Sequence, residues 1–485
     1  MIVWRNNCLA EAIPEGRTSF LLPKGGVRRR RKDAMRSFNQ SRQMCEWDDF
    51  HNREAFVRTR LDDRDHEPIP PFLLLSEPGV TARQHRQCSE IWMQKRITAA
   101  EGQREAFRFP AKGGKKLKLG YLSNDFHDHA TALLLIETLE AHDRSRVEIH
   151  AYSYGKDDGK EMRGRLTRTF DAFHDISDCS DADAAREINA DGIHILVDLK
   201  GFTQATRTSI LMLRPAPLQV NYLGYPGTLG AGLCDYIITD SFVTPDSAAA
   251  DYSESFALLP HCYQPHGRKA VVGPAPNRVA AGLPEIGFVF CCFNQAFKFT
   301  PDIFDVWCRL LHAVPGSVLW LLASRGAEGN LRNEALKRGI YGSRLIFAPD
   351  LPQIEHLARL QLADLVLDTA PYGAHTTASD ALWAGVPVVT RPGETFASRV
   401  AGSLLSAIEL PELIVDGEDD YFECAFGLAT QSESLAKLRR KLASNRMTTP
   451  LFDVVAYTAA LENLYLEMWS RYCAGTPPVM LRLPV

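Results

Sequence analysis

Two consecutive doubly wound α/β domains are predicted for this chain. From Lys115 onward, strand-like apolar runs alternate with helical stretches, which implies βαβ units and parallel sheets. The alternation restarts after Gly267–Pro284, a break rich in Gly, Pro and Ala. Loops directly after the strands carry glycines and polar side chains, and ligands bind there in such sheets. A single larger sheet is the alternative reading of the same pattern.

Residues 1–65 read as a poorly ordered or short helical extension. Its basic run Arg28-Arg29-Arg30-Arg31-Lys32 reads as a solvated tail before it reads as a nucleic-acid or import signal. Met44–Arg60 has the pattern of an amphipathic helix containing Trp47, Phe50, Phe56 and Val57. In the helical linker segment 66–114, the prolines of Pro68-Ile69-Pro70-Pro71-Phe72 mark a rigid, non-helical boundary. A helix over Val80–Glu101 follows, then the linker Ala111-Lys112-Gly113-Gly114.

The first domain, 115–285, is expected to place strands at Leu117–Leu122, Val147–Tyr152 and Ile193–Asp198, with shorter ones at Gln219–Tyr222 and Tyr236–Thr239. Its helices fall at Ala130–Ala141 and Asp181–Asn189. The second, 286–475, is expected to place strands at Phe288–Phe293, Val318–Leu322, Leu345–Phe347, Leu365–Asp368 and Val386–Thr390. Helices over Pro301–Ala313, Glu328–Arg338, Ile354–Leu360 and Thr377–Ala384 separate them. Pro450–Cys473 reads as a terminal helix packing back across the junction, with Val455, Leu461, Leu464, Leu466, Met468 and Trp469 for burial.

The 485 residues suffice for two or three domains, and 45% hydrophobic with 24% charged residues is ordinary for a soluble globular protein. A net charge of −4 gives no general attraction for nucleic acid or an acidic membrane. Neither a bilayer-length apolar run nor a signal core is apparent, so the cytoplasm is the expected compartment. The 11 cysteines, scattered and never spaced Cys-x-x-Cys, read as buried reduced thiols.

Four loops after strands hold the candidate chemistry. In Ser123–His129, Asp125 and His129 lie four apart at a helix start, so the carboxylate can orient the imidazole. Asp125 as a simple helix cap beside an exposed His129 is the plainer reading. His127, Asp128 and His129 could also hold a metal, but no further Cys or His cluster completes the shell, so no metal is expected. Lys200-Gly201-Phe202-Thr203 and Leu223-Gly224-Tyr225-Pro226-Gly227-Thr228 follow, the latter with glycines that permit close backbone approach. Asn294-Gln295-Ala296-Phe297-Lys298 puts a lysine beyond a strand, where it either neutralises a leaving diphosphate or is simply solvated.

His356 and Arg359, three apart on one helix, either cradle a ring and a phosphate or form a surface pair. Gly373-Ala374-His375-Thr376-Thr377-Ala378-Ser379-Asp380 reads as a loop entering a capped helix, either empty or holding an anion at its N-terminus.

Taken together, Gly120–Phe126, Leu223–Thr228, Cys291–Gln295 with Lys298, and Gly373–Asp380 resemble the catalytic region of the O-linked N-acetylglucosamine transferase and SPINDLY family over about residues 65 to 475. The resemblance implies a GT-B fold with the first domain on the acceptor side and the second binding the nucleotide sugar. It implies an inverting, metal-independent transfer of N-acetylglucosamine from UDP-GlcNAc to Ser or Thr of a protein, with no cofactor. On this resemblance Lys298 stabilises the donor diphosphate and Gln295 contacts it. His375, Thr376 and Thr377 hold the phosphates, Asp380 the ribose, and His356 with Arg359 the base. His129 matches a candidate base and Asp125 an aspartate near the acceptor. Thr131, Leu223 and Gly224 surround the sugar, and Arg207 lies near the cleft.

The family's tetratricopeptide array is not visible, nor is the long insert of animal members, so the resemblance is to a bacterial-type member. Pro71-Phe72 stands where animal members have two histidines. Gln353 replaces a lysine of some members, and Ala130 a usual proline. These departures leave GDP-fucose transfer as the alternative activity, and an inactive scaffold as the alternative class.

Overall fold

The computed structural model describes residues 39–62, 69–100, 106–111, 116–324 and 326–483. The Arg28–Lys32 run and most of the Ala111–Gly114 linker lie outside them. Two separate sheets form, both wholly parallel, so the single larger sheet is not what the chain adopts. The first contains β1 (Leu117–Ser123), β2 (Val147–Ser153), β3 (Ala172–Asp175), β4 (Ile195–Asp198), β5 (Leu218–Asn221), β6 (Tyr236–Asp240), β7 (Ser255–Leu259) and β13 (Leu481–Arg482). The second contains β8 (Val289–Cys292), β9 (Val318–Leu322), β10 (Leu345–Ala348), β11 (Leu365–Leu367) and β12 (Val388–Val389).

The strand orders are β13-β7-β6-β5-β4-β1-β2-β3 and β10-β9-β8-β11-β12. In each sheet the winding reverses beside the domain's first strand, between β1 and β4 and between β8 and β11. Adjacent connections leave such a switch point on opposite faces, so a crevice opens beyond the strand ends. The loops 123–129 and 198–203 flank the first crevice, and 293–298 and 368–377 the second. Strands buried on both faces explain the continuous apolar runs: β4, β5, β8 and β9 are buried at every residue.

The helices Ala130–Ala141 and Pro301–Ala313 have the expected bounds. Others differ for identifiable reasons. The helix expected over Met44–Arg60 spans Phe50–Asp62; Trp47 precedes it and packs edge-on against Phe304, while Phe56 stays 41% exposed. Pro71 does not exclude helix but starts a single turn, Pro71–Leu74, where its missing N–H costs nothing. The edge strand β3 and the two-residue β13 were not expected, being half-polar or short; β7 was not expected either, although four of its five residues are apolar.

The terminal helix Val454–Cys473 returns to the first sheet. Glu462 accepts from the Asp143 N–H at 2.8 Å and meets His142 Nδ1 at 2.9 Å, and Tyr457 bonds Tyr222 Oη at 2.5 Å. Leu461, Leu464 and Met468 are fully buried, but Val455 faces solvent at 70% exposure, off the buried stripe. Leu461→Ala is expected to destabilise the protein by about 2–5 kcal/mol, read by denaturant unfolding. A loss below about 1 kcal/mol would show that this helix carries little of the fold.

Candidate active site

Asp198 closes β4 and shapes the loop beyond it. Its Oδ2 accepts from the Gly201 N–H at 2.7 Å, which turns the chain so that Lys200 points inward. Lys200 is 1% exposed, and its Nζ lies 2.9 and 2.8 Å from the two oxygens of Asp125 across the first switch point. Asp125 therefore does not cap the helix Ala130–Ala141. His129 does: its Nδ1 accepts from the Thr131 N–H at 3.2 Å and lies 3.5 Å from Asp125 Oδ2. His129 is buried rather than exposed, and burial, opposed by Asp125, pushes its pKa down to about 4. The helix start accordingly carries a neutral imidazole above that pH.

Thr131 Oγ1 reaches toward Asp125 Oδ2 at 3.5 Å, so these three residues form one cluster. The His127-Asp128-His129 run does not converge on a point. His127 turns toward Asp158 at 3.9 Å and Asp128 pairs with Lys160 at 2.8 Å. Leu223 holds a left-handed backbone at φ 68°, and Gly224 runs so close to β4's loop that an added Cβ would lie 1.9 Å from the Leu199 carbonyl. Arg207 is committed elsewhere. It bonds Asp181 at 2.6 Å and the Ile176 and Cys179 carbonyls at 2.7 Å, bracing the turn before the helix Asp181–Ala190.

The second switch point mirrors the first. Asp368, directly after β11, takes the Thr369 N–H at 2.7 Å and the Thr390 hydroxyl at 2.6 Å, and the Ala374 N–H as well, so the loop 369–374 folds around its carboxylate. Burial raises its pKa. Lys298, at the end of the short 3-10 turn Ala296–Lys298, donates to the Gly373 carbonyl at 2.8 Å and sits 3.7 Å from the Tyr372 ring centroid. It is 8% exposed, so it is not a solvated lysine; burial, opposed by nearby Asp368, pulls its pKa down to about 8. Gln295 opens that turn, its carbonyl taking the Lys298 N–H at 3.0 Å.

Opposite lies the helix Thr376–Trp383, whose N-cap position is His375; no side chain caps it, so the expected cap does not form. His375 Nε2 lies 3.1 Å from the Ala397 carbonyl, and burial pushes its pKa down to about 3. Thr377 donates to Asn294 Oδ1 at 2.6 Å, and Asn294 donates to Thr369 Oγ1 at 2.8 Å, tying the β8 loop to the β11 loop. Asn294, Phe293, His356, Ala374 and Thr377 line one small, mostly enclosed cavity. His356 and Arg359 are not a surface pair: both are buried, 2.9 Å apart, with the guanidinium 4.8 Å from the Phe293 ring centroid. Asp380 is 3% exposed, its carboxylate 3.9 Å from His266 Nε2.

Gln295, Lys298, His356, Arg359, His375, Thr376, Thr377 and Asp380 thus gather around the second switch point, and Asp125, His129, Thr131, Leu223 and Gly224 around the first. Tyr372 shares a buried cluster with Phe202 and Tyr225, so the two sets meet beneath Lys298. Phe72 packs on Phe297 and Tyr372 at ring separations of 6.0 and 6.4 Å, which places the Pro71-Phe72 departure at this junction. Asp198, Lys200, Asp368 and Tyr372, which shape the two candidate crevices, are not among the site residues predicted from sequence. An aspartate closing β4 and another directly following β11 was the signal available for the two turn-forming acids.

Two parallel doubly wound sheets joined at their strand-end loops define the class, a GT-B glycosyltransferase fold. A model described as Glycosyl transferase family 41 matches residues 79–270 and 269–461. The chain belongs to that family. It is 37% identical over 461 residues to the probable UDP-N-acetylglucosamine–peptide N-acetylglucosaminyltransferase SEC of Arabidopsis thaliana, covering 90% of this chain and 46% of the relative. It is 33% identical over 381 residues to a SPINDLY protein of Petunia hybrida with the same probable activity in its name, covering 76% and 40%. A mutant O-GlcNAc transferase of Thermobaculum terrenum superposes with a TM-score of 0.77 at 29% identity, covering 84% of this chain and 77% of that one. The chain spans about half the length or less of these curated relatives. Among the described residues no helix is long and apolar enough to cross a membrane.

Proposed function

We propose that this chain transfers N-acetylglucosamine from UDP-GlcNAc to Ser or Thr hydroxyls of proteins, with inversion and without a metal or other cofactor. The observation that carries the proposal is the buried Lys298 ammonium, fixed by Gly373 beside the N-terminus of the helix Thr376–Trp383. A fixed cation and free helix N–H groups on one side of a cleft are what a departing nucleoside diphosphate requires, because negative charge grows on it as the sugar bond breaks. The buried His356 and Arg359 beside them, packed against Phe293, stand where the resemblance puts the base. Names of relatives that specify UDP-N-acetylglucosamine and a peptide support the donor and the acceptor class. The neutral His129 and the Asp125 pair stand on the acceptor side, where they orient the hydroxyl and sugar. Nucleic acid and membranes have no part in the reaction.

Incubating purified chain with UDP-GlcNAc or GDP-fucose and mass-analysing proteins of the expression host tests the donor. N-acetylhexosamine on Ser or Thr is expected. Fucose instead would replace the donor assignment, and neither product together with no thermal shift from UDP or GDP would leave an inactive scaffold.

The lysine also predicts a pH profile. Its active form is the ammonium, and its pKa in the free chain is lowered to about 8. Donor kcat/KM is therefore expected to fall about tenfold per unit as pH rises beyond that value, since kcat/KM reports free-enzyme ionisations. His129, neutral above about 4, adds no acid limb near the ordinary histidine value. A profile flat up to the ordinary lysine range of about 10.4 would show that the lysine keeps its ordinary pKa.

A further inference from the structure

At the edge of the first sheet, away from both switch points, three ligand-type atoms converge. His150 on β2, His174 on β3 and Asp191 in the turn entering β4 place Nδ1, Nε2 and a carboxylate oxygen within 4.8 Å of one another. His150 Nδ1 and His174 Nε2 are 3.4 Å apart, and His174 Nε2 is 3.4 Å from Asp191 Oδ2. Two ligands each about 2.0–2.1 Å from one tetrahedral ion stand about 3.3–3.4 Å apart, so both separations match a shared metal.

The opposite edge of each imidazole is also occupied. His150 Nε2 faces Glu148 Oε1 at 2.7 Å, and His174 Nδ1 faces Glu187 Oε1 at 2.8 Å. With the outer N–H of each ring donated to the carboxylate it faces, the inner nitrogens are left as lone pairs. Two lone pairs and an anionic oxygen then point at one another, an arrangement that repels unless a cation lies between them. Carboxylates that fix the outer tautomer are also the supporting partners metal-bound histidines carry.

The rest of the pocket is ordered and charged in the same sense. The Tyr152 hydroxyl donates to Asp191 Oδ2 at 2.7 Å, and its ring stacks on His174 with centroids 4.8 Å apart. The two imidazole planes are within 11° of parallel, with centroids 5.6 Å apart. Three carboxylates surround the pair, and Lys118, 3.4 Å from Glu148, is the nearby cation among the described residues' ion pairs. The buried His150 and the partly exposed Asp191 give the site a closed floor and a solvent-side approach.

We propose that His150, His174 and Asp191 bind a divalent transition metal of the zinc type, with a fourth position open to water. Imidazole and carboxylate together suit zinc and cobalt. The ion ties β2, β3 and the β4 entrance together and takes no part in sugar transfer, so it stands independently of the function proposed above.

Calorimetric titration of the untagged, chelator-stripped 485-residue chain with zinc at neutral pH tests this. One equivalent is expected, bound in the micromolar range or tighter, with cobalt giving visible absorption bands at the same stoichiometry. His174→Gln removes that equivalent, and Glu187→Gln weakens it by about 10–100-fold through the supporting hydrogen bond. Asp191→Asn, which keeps the shape of the turn, provides a second ligand variant if His174→Gln fails to fold by circular dichroism. Zinc bound as tightly by the folded ligand variants as by the parent would overturn the proposal. So would no uptake by the parent, which would leave a proton as the cation between the rings.

Discussion

Lys298→Met is expected to lower turnover by a factor on the order of a hundred or more while the chain stays folded. The ammonium is held before substrate arrives, by the Gly373 carbonyl at 2.8 Å and the Tyr372 ring face at 3.7 Å. Little reorganisation is then needed as the diphosphate departs, and a buried charge acts through a lower dielectric than water. Methionine keeps most of the stem's packing and deletes only the charge, and it also relieves the burial that depresses the lysine pKa. The loss should therefore fall on kcat, with donor binding changed less and the thermal midpoint kept or raised. Steady-state kinetics with donor hydrolysis or transfer as readout checks it. Transfer within a few-fold of the parent would remove Lys298 from the machinery.

Lys200→Met is expected to destabilise the chain by about 3–5 kcal/mol, although the same substitution type at Lys298 does not. Asp125 and Lys200 are 5% and 1% exposed, and both carboxylate oxygens face the ammonium. Deleting the ammonium leaves an anion without its counter-charge in a site water barely reaches. The pair need not be worth that much in total, because bringing two charges out of water is itself costly. The double variant Lys200→Met with Asp125→Asn is accordingly expected to recover much of the loss. Urea unfolding of the two single variants and the double gives the coupling directly. A single-variant loss below about 1 kcal/mol would show that Asp125 finds another partner.

The two lysines differ in what the sequence disclosed about them. Lys298 follows β8 inside a motif that the family resemblance marks, and its neighbourhood could be assembled from strings alone. Lys200 lies in a loop that was noted, but its partner Asp125 is 75 residues away. A residue so distant is matched only when β1 and β4 become neighbours at the switch point. Arg207 shows the reverse: resemblance placed it near the cleft, but its donors go to Asp181 and two carbonyls.

The sequence by itself determined the two-domain parallel architecture and the loops that carry the site. Continuous apolar runs force burial of both sheet faces, and helices between them force parallel strands. Local spacing also foretold a helix after Gly373, but not that it starts at His375 without a side-chain cap. Only the tertiary structure decided that Asp125 pairs with Lys200 rather than capping a helix, that His129 is buried, and that Lys298 rests on Tyr372. The reason is physical: caps and periodicity depend on neighbours within a few residues, whereas burial and ion pairing depend on which strands lie side by side. Strand order is a global property, and the chemistry of both crevices follows from it.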